Sequence, residues 1–96
     1  MNEYPTEEEL NIIEKWDLAK KSVRGLLDDV KSIWWCSDMG FQLTGKRVLR
    51  LELHTLGWSG NEDIIGALRK NYIFWGMYWK KSIRGGHFYF RIEALK

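Results

Sequence analysis

Two adjacent glycines, Gly85 and Gly86, stand between the aromatic runs YIFWGMYW and HFYF, and no other feature restricts the fold of this chain as much. A two-residue hairpin turn of the primed type needs positive φ at both central residues, which glycine adopts without a Cβ clash. Such a turn fixes the register of its flanking strands. Arg84 then faces His87, Ser82 faces Tyr89, Lys80 faces Arg91 and Tyr78 faces Glu93 on one side of the ribbon, because side chains alternate between faces along a strand. The other side carries Ile83 opposite Phe88, Lys81 opposite Phe90 and Trp79 opposite Ile92, with Trp75 and Met77 beyond. Apart from Lys81 that second side is apolar. One face is suited to packing, and the other, rich in Arg, His and Tyr, to water.

A second strand is legible upstream. Residues 47–55, RVLRLELHT, alternate more cleanly than any other segment: Leu49, Leu51 and Leu53 point one way, and Arg50, Glu52 and His54 the other. The sequence Gly57-Trp58-Ser59-Gly60 ends it. Ser59 with Glu62 reads as a capping box that opens a helix over residues 60–70, burying Ile64, Ile65 and Leu68 and stopping near Asn71. Residues 72–79 then read as strand. The competing reading is a helix continuing through Trp75, since Gly76 suits neither element.

At the start of the chain, Thr6 followed by Glu7, Glu8 and Glu9 is a helix start, with Thr6 as cap, Glu9 as capping-box partner and carboxylates at the positive end of the helix dipole. Helix-start chemistry explains that acidic run without a metal. Ile12, Trp16, Ala19, Val23, Leu26 and Val30 recur at spacings of three and four, predicting one helix over residues 7–31. At about 1.5 Å per residue it would run roughly 37 Å, longer than a small sheet needs, so a bend or break near Gly25 is expected. Residues 32–37, SIWWCS, read as a strand, with turns at 38–40 and 44–46. The order α-β-β-α-β-β predicts an α+β fold. It is a two-layer sandwich, a mostly antiparallel four-stranded sheet with helices on one face.

Length and composition agree with a single domain spanning residues 1–96. A chain of 96 residues buries roughly two-thirds of its unfolded surface and can fold without disulfides. The single cysteine, Cys36, offers no internal disulfide and no metal-ligand spacing, which favours a reducing cytoplasm. No apolar run is long enough for a membrane span, and the acidic N-terminus is unlike a signal peptide, so a cytoplasmic protein without membrane association is expected. Residues 1–31 carry a formal charge of −3, with eight acids against five bases, and the remaining 65 residues carry +5. Opposed signs either dock the N-terminal helix on the sheet or leave a basic sheet surface facing away from it. Six tryptophans are many for so short a chain, and any left exposed point to a partner surface or a homo-oligomer.

The string LELHTLGWSGNEDIIGALRKN, followed by the FW, MYW and RGGHFYF pieces, resembles a small family of uncharacterised proteins found in bacteriophages and in prophage regions of Gram-positive bacteria. The resemblance covers roughly the C-terminal half, and residues 57–63 and 84–87 are its most distinctive pieces. It implies a bacterial cytoplasm and a phage accessory role. No functional residue is carried over with it.

Familiar catalytic motifs are missing. There is no G-x-G-x-x-G and no phosphate-binding loop. Gly57-Trp58-Ser59-Gly60-Asn61 lacks the last glycine of a nucleophile elbow, and Ser59 is better used as a helix cap. The two histidines, His54 and His87, have no ligand-like spacing, so neither a metal nor a cofactor is expected.

What stands out is a surface. If residues 47–55 join the hairpin with their leucines inward, the open face gathers Arg50, Glu52, His54, Tyr78, Lys80, Arg84, His87, Tyr89, Arg91 and Glu93. Arg and Lys neutralise phosphates, and Tyr, or Trp58 nearby, stacks on bases, which points to nucleic acid as partner. The same residues suit a metal-free ribonuclease of the small-toxin kind, with His or Glu moving a proton and Arg steadying a phosphorane. They are also what an ordinary solvated sheet face carries. A host-protein inhibitor is a further alternative, because interface hot spots favour Trp, Tyr and Arg. It would cover Trp58, Trp34 or an edge strand. A binding module with nucleic acid slightly ahead of protein as partner is the expectation, with Arg50, His54, Trp58, Tyr78, Lys80, Arg84, His87, Tyr89 and Arg91 as its binding residues.

Overall fold

In the computed structural model, which describes residues 4–93, the chain opens with the helix that its first residues encode. Thr6 caps α1 (Glu7–Glu14) in a complete capping box, its hydroxyl accepting from the Glu9 amide at 3.1 Å while the Glu9 carboxylate accepts from the Thr6 amide at 2.8 Å. The single long helix expected over residues 7–31 is instead two. The break lies over residues 15–22, ahead of Gly25, and local side-chain bonds make it. The Asp17 carboxylate accepts from the Ala19 amide at 2.9 Å, and the Ser22 hydroxyl accepts from the Gly25 amide at 3.1 Å, capping α2 (Val23–Ile33). Asp and Ser compete for backbone partners in this way and end the first helix. As a result Ile13 is buried, whereas Ile12, assigned to the apolar stripe, is exposed.

The segment 32–37 is not a strand. Helix α2 runs to Ile33, residues 34–36 turn, and a one-turn helix α3 (Ser37–Gly40) follows. Asn61, 1% exposed, accepts from the Trp35 amide at 2.9 Å and donates to the Trp35 carbonyl at 3.1 Å, occupying the groups that a strand ladder would need. Cys36 adopts left-handed φ 56, which also departs from a strand. The first strand, β1 (Phe41–Thr44), lies instead just after the turn expected at 38–40.

Strand β2 (Leu49–His54) keeps the expected alternation, with Leu49, Leu51 and Leu53 at most 2% exposed. Helix α4 (Ser59–Lys70) buries Ile64, Ile65 and Leu68 as expected, but Ser59 does not cap it. The cap residue is Trp58, whose side chain makes no capping hydrogen bond to the first turn, and Ser59 already lies inside that turn. Residues 72–78 form helix α5 (Tyr72–Tyr78), the competing reading, and strand β3 (Trp79–Ile83) begins only at Trp79. Asn71 decides this. Its carboxamide oxygen accepts from the Phe74 amide at 3.2 Å, while its nitrogen donates to the Ile13 and Trp16 carbonyls at 3.0 and 3.1 Å. That side chain caps α5 and ties it to the end of α1.

With β4 (His87–Ile92) the strands form one antiparallel sheet in the order β1-β2-β4-β3. Buried residues of α1, α2, α4 and α5 share one core cluster with Leu49, Leu51, Leu53, Phe90 and Ile92, so the helices pack on that face. The α+β two-layer architecture is as expected, with five helices in place of two.

Candidate nucleic-acid interface

The other face of the sheet is built in rungs. Across β2 and β4, Arg50 lies opposite Arg91, Glu52 opposite Tyr89, and His54 opposite His87. Successive rungs are two residues apart along each strand, or roughly 7 Å. The leucine and aromatic pairing on the core face sets this register: Leu49 with Ile92, Leu51 with Phe90 and Leu53 with Phe88. A slip of either strand by one residue would turn its three rung residues inward. Beyond β2, strand β1 adds Thr44 and Gln42 opposite Arg50 and Glu52.

The hairpin turn differs from expectation by one residue. Ile83 pairs with His87, so the loop has three residues, Arg84, Gly85 and Gly86, with φ of 97° and 84° at the two glycines. The register shifts again between Trp79 and Lys81, where Lys80 is the extra residue of a bulge. Together these corrections exchange the faces of three residues, Ile83 among them, which pairs with His87 on the open face instead of with Phe88 on the core side. Lys81 pairs with Tyr89 and holds its ammonium 5.0 Å from the centre of the tyrosine ring, on the open face. Ser82 pairs with Phe88 on the core side, where its hydroxyl accepts from the Trp79 indole at 2.9 Å. Lys81 was the residue missed. Its charge among the supposedly apolar side chains of the ribbon was the available signal.

The loop is fixed to the end of β2. The Thr55 amide donates to the Gly86 carbonyl at 2.9 Å, and a Cβ on Gly86 would stand 2.0 Å from the Thr55 hydroxyl oxygen. This close approach brings His87 beside His54. Their Nδ1 atoms are 2.7 Å apart, and His54 Nε2 lies 3.3 Å from a Glu52 carboxylate oxygen. Tyr89 meets the edge of the His54 ring at a centroid distance of 6.0 Å. At the far rung, Arg91 Nε donates to Glu93 at 3.1 Å, while Arg50, opposite, is exposed.

Of the nine residues expected to bind, Arg50, His54, His87, Tyr89 and Arg91 come together on this face. Arg84 is exposed in the adjoining loop, and Lys80 sits at the bulge of the edge strand. Tyr78 is elsewhere, at the end of α5 with its ring against Phe74 at 5.4 Å, because residues 72–78 are helical. Trp58 is in the helical layer, stacked between Tyr4 and Trp35 at 4.8 and 5.0 Å. Trp34, considered as an interface residue, is 4% exposed.

Among the described residues no group of three or more His, Cys, Asp or Glu side chains is arranged to hold a metal ion. Among them, too, no helix is long and apolar enough to cross a membrane. No family model matches the chain, and neither a curated protein nor a solved structure matches it.

Proposed function

We propose that this protein binds single-stranded RNA on the open face of its sheet, as a phage-type accessory module in a bacterial cytoplasm. The observation that carries the reading is the two-by-three array of Arg50–Arg91, Glu52–Tyr89 and His54–His87, with Lys81 beside Tyr89, on a face opposite the helices. Cations at the array's edges take phosphates, and the aromatic and imidazole rings between them offer surfaces on which unpaired bases stack. An open single strand fits such a flat face, because its bases are free to turn toward the protein. The resemblance at residues 57–63 and 84–87 supports the phage setting.

Fluorescence anisotropy of a labelled single-stranded RNA tests this. With about three phosphates neutralised, affinity falls ~20-fold between about 50 and 200 mM salt. A flat trace at both salts, with no bound population, contradicts the reading.

A second reading rests on a separate surface. The outward side of α5 and the start of the edge strand beside it expose Tyr72 by 81%, Met77 by 63% and Ile73 by 59%, with Trp79 also exposed. Apolar surface of this kind fits a protein partner. Lys80 and Lys81 in the edge strand oppose its pairing with another copy of itself. If a bacterial protein is the partner, Ile73→Glu with Met77→Glu abolishes that complex and leaves RNA binding unchanged. RNA binding lost in the same double variant would place the RNA site on α5 instead.

A further inference from the structure

We propose that the sheet face also cleaves the RNA it binds, with Nε2 of His87 as the base that removes a 2′-hydroxyl proton; the inference rests on the RNA-binding reading above. The tautomers follow from the contacts. An ionised carboxylate only accepts, so the bond between Glu52 and His54 Nε2 is donated by His54. A neutral His54 protonated on Nε2 has a bare Nδ1. The proton in the 2.7 Å contact between the two Nδ1 atoms therefore belongs to His87. His87 is left with its lone pair on Nε2.

That nitrogen stands beside the hairpin loop. A Cβ placed on exposed Gly85 would come 3.3 Å from it, and glycine leaves this space clear. Three groups in series thus end in a proton acceptor at the edge of the proposed RNA surface. When His87 takes a proton, its Nδ1–H bond to His54, which is itself held by the Glu52 carboxylate, stabilises the imidazolium formed. This is how a base is oriented and its charged form stabilised by a partner behind it.

The reaction is internal transesterification. The ribose 2′-O–H bond breaks, its proton passing to His87 Nε2, and the 2′-oxygen forms a bond to the adjacent 3′-phosphorus. The bond from phosphorus to the 5′-oxygen breaks, its electron pair leaves with that oxygen, and water supplies the oxygen's proton. His87 returns its own proton to solvent. The products are a 2′,3′-cyclic phosphate and a 5′-hydroxyl, with no change of oxidation state. Lys81, one rung from His87, is the cation offered to the reacting phosphate. In these roles His87 is the catalytic residue, and Glu52 and His54 are positioning residues.

The test incubates the full chain in EDTA with a single-stranded RNA and with its 2′-deoxy counterpart, following anisotropy and product termini together. Both strands bind, and only the RNA is cut, leaving cyclic phosphate ends. His87→Ala lowers the cleavage rate at saturating RNA by ~100-fold or more, the scale of general base catalysis, a loss read separately from any change in affinity. Glu52→Gln lowers kcat at constant KM and shifts the His87 ring toward its Nε2–H tautomer in imidazole nitrogen spectra. Strands that bind without cyclic phosphate products overturn the inference and leave the binding reading in place. Failure of both strands to bind overturns both. Cleavage by His87→Ala at the rate of the unaltered protein overturns the assignment to His87.

Discussion

His54 and His87, 33 residues apart in sequence, meet through their Nδ1 atoms at 2.7 Å across the central strands β2 and β4. In the proposed arrangement one proton lies between the two nitrogens, and Glu52, 3.3 Å behind His54, selects which ring owns it. Nitrogen NMR on the neutral rings is expected to find His54 as the Nε2–H tautomer and His87 as the Nδ1–H tautomer. Both rings in the Nε2–H form would mean that the Nδ1 contact does not exist in solution.

The two faces of the sheet predict opposite sensitivities to truncation. Leu51, 1% exposed beneath the rungs, should cost about 2–5 kcal/mol when changed to Ala, through lost burial and the cavity left behind. His87→Ala and Arg91→Ala should each cost less than about 1 kcal/mol, because neither side chain lies in the core. Urea unfolding of the three variants checks this. A severe loss in Arg91→Ala with a neutral Leu51→Ala would show the faces reversed.

Asn61 is a buried polar cross-link between α4, the turn after α2 and the end of β2. Its carboxamide accepts from the Trp35 amide and donates to the Trp35 and Thr55 carbonyls at 2.9, 3.1 and 3.3 Å. Asn61→Ala leaves those groups without that partner and is expected to cost about 1–3 kcal/mol. Asn61→Leu, similar in size, should be no better, since the backbone groups stay unpaired. A leucine variant as stable as the original would show that water or other groups satisfy them.

Gly86 is required twice, by its φ of 84° and by the Thr55 hydroxyl against it. Gly86→Ala incurs about 1–2 kcal/mol for the left-handed backbone and also a clash. Thermal unfolding should show the loss. Combining Gly86→Ala with Thr55→Gly should recover the part due to the clash. No recovery would mean that backbone strain accounts for the whole effect.

Much of the sheet was legible because its signals are local. The leucine alternation of residues 49–53 has a period of two and sits between turn residues, and β2 follows from it directly. The hairpin was legible too, but its exact turn was not. Two glycines permit either a two- or a three-residue loop, and the contact between Gly86 and Thr55, which lies outside the ribbon, accompanies the longer one. The resulting slip moved Lys81 to the open face, where its charge is no longer an anomaly.

Segments misread from sequence owe their form to distant partners. Residues 34–36 turn because Asn61 holds Trp35, 26 residues away. Asn71 reaches the carbonyls of Ile13 and Trp16, more than 50 residues upstream, while capping α5. An aromatic run such as YIFWGMY carries no clear period of its own, so the cap decides its conformation. The meeting of His54 and His87 belongs to the same class. Each histidine falls on the wet face by alternation, but their contact needs the β2–β4 register, which pairs Leu49, Leu51 and Leu53 with Ile92, Phe90 and Phe88.

The most direct test of the central claim is a backbone amide NMR titration of the protein with a single-stranded RNA. The account predicts shifts centred on Arg50, Glu52, His54, Lys81, His87, Tyr89 and Arg91, fading as salt rises, with the α5 amides of Tyr72, Ile73 and Met77 unmoved. Shifts centred on α5 and on Trp79, with the rung residues silent, would contradict it.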